Sequence, residues 1–266
     1  MSLLEIVILA VLQGITEFLP VSSSGHLVVA NALMERLGSQ PVPDLLEVSI
    51  TLHLGTLASV LAYYRKEILR LLSTDRRVIP LLVVGTIPAA ALGVWLKKLA
   101  PPAVKEAVLE SPLTAGLCFP ITAALLWWAM KPRDGDQEYQ QLSVTQSLGI
   151  GVLQAFALLP GISRSGSTIA GGIFAGMRRD AAATFAFLLA IPAILGAGAL
   201  EGLEMYKKGG SGTEPLNLAV GFIVSMLIGL GALALLIRWV ERGRIALFAY
   251  YLVPLGIAVV AWQLAK

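Results

Sequence analysis

Two segments set hydroxyls, glycine, proline and a lone charge into otherwise apolar sequence: Gln13-Gly14-Ile15-Thr16-Glu17-Phe18-Leu19-Pro20-Val21-Ser22-Ser23-Ser24-Gly25-His26, and Gln154-Ala155-Phe156-Ala157-Leu158-Leu159-Pro160-Gly161-Ile162-Ser163-Arg164-Ser165-Gly166-Ser167-Thr168. In the second, Pro160-Gly161 stops one helix and Ser163 onward opens the next. Backbone N–H groups at a helix start carry the positive end of the dipole, and Gly161 and Gly166 allow close approach. Ser163, Ser165 and Thr168 add hydroxyls, and Arg164 adds a planar fork suited to phosphate oxygens. That set fits a polyanion. The plainer reading, a kinked helix with small packing residues and a snorkelling arginine, leaves the flanking hydroxyls without a purpose.

In the first segment Gln13 and Glu17 stand four apart, on one helix face. Glu17 can ligate a hard cation or act as a base, whereas Gln13 offers only an amide carbonyl. Ser22, Ser23 and Ser24 are candidate nucleophiles or phosphate donors, and His26 is a candidate proton-transfer group. His53, with Thr51 and Thr56, could equally line a cavity or bond to a neighbouring helix, and it stays outside the core site. A cation, a phosphate clamp, a hydroxyl and an acid/base together imply metal-assisted hydrolysis of a phosphate or pyrophosphate.

The elements that carry these residues must be membrane helices. Hydrophobic residues make up 56% of the 266 and charged residues 14%, with mean hydropathy +0.78, too apolar for one soluble core. Continuous apolar runs at 78–96, 111–130, 181–200, 215–237 and 245–265, with a shorter one at 48–64, indicate a polytopic α-helical protein rather than a barrel. The net charge of +3 comes from short basic loops, so nucleic acid is excluded as a partner. Cys118, the only cysteine, provides neither a disulfide nor a metal site and reads as a packing residue. The N-terminal stretch carries Glu5 early and no small-residue cleavage site, which argues against a cleavable signal.

Val11-Leu12-Gln13 to Gly25 resembles Val152-Leu153-Gln154 to Gly166, a weak internal repeat. Each copy is expected to form a re-entrant helix hairpin with its tip near the midplane, followed by three spans. The chain is then one integral membrane domain, 1–266, with repeat 1 at about 1–130 and repeat 2 at about 143–266. Three spans are odd, so the second half enters the membrane inverted. Twelve Lys/Arg, clustered at 65–77, 131–133, 178–179 and 238–244, fall on one side, against seven on the other. This puts the first side in the cytoplasm.

At these residues the sequence resembles the undecaprenyl-diphosphate phosphatase family of the bacitracin-resistance type. Its pattern Glu/Gln-x-x-x-Glu then Phe-Leu-Pro-(Val/Ile)-Ser-Ser-x-Gly-His reads here as Gln13 to His26. Pro-Gly-x-Ser-Arg-Ser-x-x-Thr reads as Pro160 to Thr168, and Phe185–Pro192 matches a further run. The resemblance implies hydrolysis of undecaprenyl diphosphate to the monophosphate and inorganic phosphate, renewing the lipid carrier for cell-wall glycan synthesis. It implies a divalent cation, Mg²⁺ or Ca²⁺, in a plasma-membrane protein whose site opens to the outer face. By resemblance Glu17 is the essential glutamate, Ser23 a nucleophile or phosphate contact, His26 an acid/base, and Ser163, Arg164 and Thr168 the phosphate motif. Gln13 stands where many relatives have Glu, so cation affinity leans on Glu17 and the diphosphate itself. The partners are a polyprenyl diphosphate and membrane lipids, with a second copy of the chain left open.

No histidine follows Arg164, which removes the phosphatidic-acid-phosphatase mechanism, and Gly-x-Ser-x-Gly is absent. A polyprenyl-phosphate flippase or another inverted-repeat transporter is the alternative from a different class. Buried Glu17 and Arg164 argue against a purely structural subunit.

Overall fold

The computed structural model describes residues 2–36, 45–131, 135–207 and 213–265. Arg133, Lys208 and Lys266, used in the loop-charge reading, lie outside them. Within them the chain is all-helical. Its first half runs α1 (Leu3–Thr16), α2 (Ser23–Arg36), α3 (Leu45–Tyr63), α4 (Arg65–Leu71), α5 (Val78–Lys98), α6 (Pro102–Val104) and α7 (Pro112–Ala129). The second half runs α8 (Val144–Phe156), α9 (Arg164–Phe174), α10 (Arg179–Lys207), α11 (Pro215–Glu241) and α12 (Ala249–Leu264).

Among the described residues five segments are long and apolar enough to cross a bilayer: α5, α7, α10 as far as Leu200, α11, and Ile245–Leu264, which contains α12. The protein is therefore a multi-pass membrane protein. α3 corresponds to the expected 48–64 span, but its 19 residues include Glu47, His53 and several hydroxyl residues, which makes it the polar exception. α1 and α8, of 14 and 13 residues, reach only about 20 Å at ~1.5 Å per residue, short of a ~30 Å hydrocarbon core. Each ends at the polar segment read from sequence and is followed by a second helix, α2 or α9.

Ser2 caps α1 and Ser143 caps α8, each in a reciprocal capping box. α1 packs on α11 as α8 packs on α5, and α3 packs on α11 as α5 packs on α10. α7 packs on α12 and α3 on α10. Exchanging the two halves thus carries each of these pairs onto another or onto itself. The correspondence is incomplete: α9 is buried along Ser165–Ile173 and touches α7, α8 and α10, while α2 leans mainly on α7.

Hydrophobic packing cannot separate one membrane helix from another, so contacts depend on close approach and buried hydrogen bonds. Ser147 of α8 donates to the Leu81 carbonyl of α5 at 2.6 Å, and Ser59 of α3 to Met226 of α11 at 2.7 Å. A β-carbon on Gly151 would lie 2.3 Å from the Gly85 carbonyl oxygen. The largest core cluster contains Phe18, Phe119, Phe185 and Phe187. Phe18 and Phe187 meet edge to face with centroids 5.8 Å apart, wedging the end of α1 against α10.

At one end of the bundle the buried Asp75 clasps the segment that joins the halves. It accepts from Tyr139 Oη at 2.9 Å and from Gln140 at 3.1 Å, and pairs with Arg70 at 3.1 Å. Burial pushes the Asp75 carboxyl up, but the bonds from Gln140 and Tyr139 and the Arg70 charge outweigh it and hold the group below its ordinary value. Burial and the Asp75 carboxylate push Tyr139 up to about 12, keeping its hydroxyl a donor.

Gly151→Ala should cost about 1–3 kcal/mol by overpacking against backbone, read as a lower Tm in detergent. Gly149→Ala, whose β-carbon meets nothing within 4 Å, should not lower Tm and should raise it slightly, since alanine is the better helix former. Because the folded Asp75 pKa is depressed, its stabilisation is present above the unfolded value and fades as pH falls through the folded one. Asp75→Asn should therefore lower Tm at pH 7, with the gap to the parent closing below about pH 4. An equal gap at both pH values would rule out the carboxylate as its source.

Candidate functional site

The two polar segments form tips that touch. At the first, α1 ends at Glu17 and the chain turns through Ser22, a non-glycine residue with φ +67°, a conformation held at some energetic cost. Ser22 Oγ accepts from Gly25 N–H at 3.4 Å and, across the tips, from Gly161 N–H at 3.0 Å. At the second tip Gly161 has φ +93°, and a β-carbon there would sit 2.4 Å from the Ala115 carbonyl oxygen. A β-carbon on Gly25 would lie 2.6 Å from Gly161 N, so both glycines are required by the contact itself.

Thr122 of α7 braces the second tip, donating to the Gly161 carbonyl at 2.8 Å and accepting from Ser163 N–H at 3.1 Å. Ser163 caps α9, accepting from Gly166 N–H at 3.2 Å, with Ser165 Oγ 3.1 Å away.

One charge pair joins the tips. Arg164 Nη2 donates to Glu17 Oε1 at 2.6 Å, while Glu17 Oε2 accepts from Gln13 Nε2 at 3.1 Å and lies 3.7 Å from His53 Nε2. The Glu17 side chain is 8% exposed and that of Arg164 18%. Arg164 Nη1 is buried with no hydrogen-bond partner. An unpaired guanidinium N–H beside a satisfied one is a vacant half of a bidentate donor.

Two cavities meet at this pair. A small polar one, about 90 Å³, is lined by Thr16, Glu17, Ser22, Ser23, Ser24, Ile162, Ser163, Arg164 and Ala157. Glu17 is the one carboxylate in this lining. A larger, mostly apolar cleft of about 440 Å³ also reaches Glu17 and Arg164 and adds His53, Thr86 and Gln154. Gln154 is 3% exposed; Nε2 donates weakly to the Gly85 carbonyl at 3.4 Å, and Oε1 has no partner.

Of the residues singled out from sequence, Glu17, Ser22, Ser23, Ser24, Ser163 and Arg164 come together around the small cavity. Gln13 reaches it through Glu17. Gly161 forms the tip contact, while Ser165 and Gly166 support the start of α9. Thr168 Oγ1 turns back on the Arg164 and Ser165 carbonyls, at 2.9 and 3.3 Å, and lines neither cavity.

His26 lines neither cavity as well. Its Nδ1–H donates to the Ser22 carbonyl at 2.7 Å, which leaves Nε2 of the neutral ring to accept from Tyr251 Oη, also at 2.7 Å. His53, Thr122, Gln154 and Tyr251 were not assigned from sequence. The repeat aligned Gln154 with Gln13, a usable signal, but the other three approach from helices that sequence spacing does not connect to the motifs.

Among the described residues no group of three His, Cys, Asp or Glu side chains stands together. One carboxylate with a neighbouring amide does suit a cation that takes its other ligands from substrate phosphates and water, the usual habit of Mg²⁺.

The family model described as bacitracin resistance protein BacA matches residues 6–258. A protein named undecaprenyl-diphosphatase from Rhodopirellula baltica is 44% identical over 266 residues, covering 99% of each chain. Proteins of the same name from Carboxydothermus hydrogenoformans, 36% identical over 100% of this chain and 99% of its own, and Methanosphaera stadtmanae, 33% over 97% and 96%, match as well. With the family model spanning nearly the whole length and relatives aligned end to end, this chain belongs to the BacA, or bacitracin-resistance, family.

Proposed function

We infer that the chain is an undecaprenyl-diphosphatase, hydrolysing undecaprenyl diphosphate to the monophosphate and inorganic phosphate and so recycling the lipid carrier. The observation that carries the reading is the position of Arg164, half unpaired, where a polar cavity meets an apolar cleft. A lipid diphosphate has that same division between head and chain.

In this mechanism the terminal phosphate enters the small cavity, where Arg164 and the Ser22, Ser23, Ser24 and Ser163 hydroxyls donate to its oxygens. As the phosphoanhydride bond breaks, charge moves onto the bridging oxygen, and pre-oriented donors stabilise it without reorganisation. Glu17 is the acceptor for the proton of an attacking water, since no histidine lines the small cavity. Ser23 is then a phosphate contact. His26, held by Tyr251, supports the Ser22 carbonyl and hence the turn that presents Ser22 Oγ. Glu17 and the Gln13 amide oxygen would hold a divalent cation together with the diphosphate; when bound, it supplies Lewis-acid stabilisation of phosphate charge.

The pairing of helices across the halves supports an inverted repeat, each half a re-entrant hairpin plus three spans within one domain. The basic clusters at Arg65–Arg77 and Arg238–Arg244 support a cytoplasmic location for that end, and the family resemblance supports a plasma-membrane protein whose site opens to the outer face.

Glu17→Gln should lower phosphate release at least a hundredfold with insertion intact, and Gln13→Glu should reduce the Mg²⁺ concentration needed for half-maximal rate. Arg164→Lys, which keeps charge but loses the fork, should lower kcat/KM roughly ten- to a hundredfold. Ser23→Ala should slow but not abolish release; complete loss in a folded protein would favour a covalent serine route instead. For topology, in a Cys118→Ala background, cysteine at Ala103 should label with an impermeant reagent in intact cells, and cysteine at Ser73 only after permeabilisation. Matching accessibility at the two positions would refute the orientation.

A further inference from the structure

His53 belongs to neither motif, yet the fold aims it at their charge pair. A β-carbon on Gly55 would lie 2.5 Å from the Phe222 carbonyl oxygen, and Ser59 donates to the Met226 carbonyl at 2.7 Å. Gly55 and Ser59, about one turn apart on α3, are thus pressed against α11. Residues two apart on a helix lie about 200° apart around its axis, so this contact turns His53 to the opposite side. There it lines the larger cleft beside Glu17.

The ring is held through one nitrogen. Its Nδ1 lies 2.8 Å from the Ser49 carbonyl, an oxygen that can only accept, so Nδ1 carries the hydrogen. Nε2 of the neutral ring then presents a lone pair, and among the described residues every hydrogen bond of the ring is made by Nδ1. Opposite Nε2, at 3.7 Å, is Glu17 Oε2, a second electron-pair donor. Two such atoms face one another stably only with positive charge between them. Arg164 already matches the Glu17 charge through the other carboxylate oxygen, so the resting pair requires no charge on the imidazole. The donor set fits a metal ion instead. A backbone carbonyl on the far nitrogen is the usual outer partner of a metal-binding histidine, and 3.7 Å is within twice the ~2.0–2.2 Å metal–ligand distance.

We propose that His53 Nε2 is a nitrogen ligand of the divalent cation, which it shares with Glu17 and the diphosphate. The proposal rests on the cation of the phosphatase reading and names a ligand that reading lacks. Gln13 is a neutral amide, so Glu17 is the one anion among the side chains assigned to the cation, and His53 adds a ligand without adding charge. Imidazole suits manganese, cobalt and zinc, whereas magnesium and calcium favour oxygen. His53 therefore biases the site toward Mn²⁺ over Mg²⁺ and Ca²⁺.

Mn²⁺ with methylenediphosphonate, a diphosphate head that is not hydrolysed, is the probe, and pulsed electron paramagnetic resonance of protein without an affinity tag is the readout. The chain has two histidines, and both ring nitrogens of His26 are engaged by Ser22 and Tyr251. Bound Mn²⁺ should show ¹⁴N coupling of the imidazole type, replaced by ¹⁵N coupling when histidine is labelled and lost in His53→Gln. Glutamine keeps an oxygen donor, so the ratio of Mn²⁺ to Mg²⁺ affinity should fall roughly tenfold, the scale reached when even an outer partner of a ligand is removed. Bound Mn²⁺ without imidazole coupling in the parent overturns the proposal and favours an imidazolium paired with Glu17. Coupling that survives in His53→Gln overturns it as well, and so does a parent that binds no Mn²⁺. If His53→Gln fails to fold, ¹⁵N-histidine labelling of the parent still decides whether a histidine binds the metal. Phosphate release by the parent tests the phosphatase reading separately: its absence sinks that reading, while the coupling, which needs no turnover, still decides the ligand.

Discussion

A carboxylate and a guanidinium held 2.6 Å apart inside a membrane protein constrain almost everything around them. Neither charge is tolerable alone at that depth, so the residues that carry them must arrive together. They are 147 positions apart in the chain, and the fold brings them together at the ends of two helices that stop partway. The stops create a further demand, because each interrupted helix exposes backbone groups that lipid cannot satisfy. The tips satisfy one another: Ser22 Oγ takes the Gly161 N–H, and Thr122 takes up both the Gly161 carbonyl and the Ser163 N–H. The polar site is therefore also the joint between the two halves.

That joint explains the unequal character of the helices. α5, α7, α10, α11 and α12 are the apolar members, and α1 and α8 each pack on one of them, α11 and α5, while exposing large apolar side chains such as Leu4, Ile8, Leu148 and Phe156. α3 carries His53 to within 3.7 Å of Glu17 and sacrifices hydropathy to do so. The second hairpin is buried along most of α9 and the first is not. The fixed charge and the cap thus come from the more buried hairpin, and the Ser22 turn with its positive φ from the other.

The two broken-helix motifs, the helical class, the span positions and the residues of the polar cavity were legible in the sequence, because each rests on local chemistry. Pro160-Gly161 and the Ser22–Ser24 run cannot continue an apolar helix, whatever surrounds them. Thr122 and Tyr251 were not legible as site residues, since their roles arise from helix packing; for His53 the sequence left cavity lining and a bond to a neighbouring helix equally open, and it lines the larger cleft. Nothing in the spacing of α7, α12 or α3 reveals which face meets a tip. Thr168 illustrates the reverse: its type and position fit a phosphate motif, but a hydroxyl one turn into a helix finds the Arg164 carbonyl nearer than any ligand. His26 is similar, its two ring nitrogens engaged by Ser22 and Tyr251, so motif membership alone does not separate a proton carrier from a brace.

The resting Glu17–Arg164 pair also limits how a phosphate can bind. Full displacement of the carboxylate would leave Glu17 desolvated beside an incoming anion, a repulsive arrangement unless a cation enters with it. Arg164 avoids that requirement in part, because only Nη2 is committed to Glu17 while Nη1 stays unpaired and buried. A phosphate oxygen can thus join the guanidinium before the resting bond breaks. The remaining repulsion between Glu17 and the phosphate is what a divalent cation would relieve, since the one neighbour on Glu17 Oε2 within hydrogen-bond distance is the neutral Gln13 amide, at 3.1 Å. The same pair gives the buried Glu17 carboxylate a charged partner at rest.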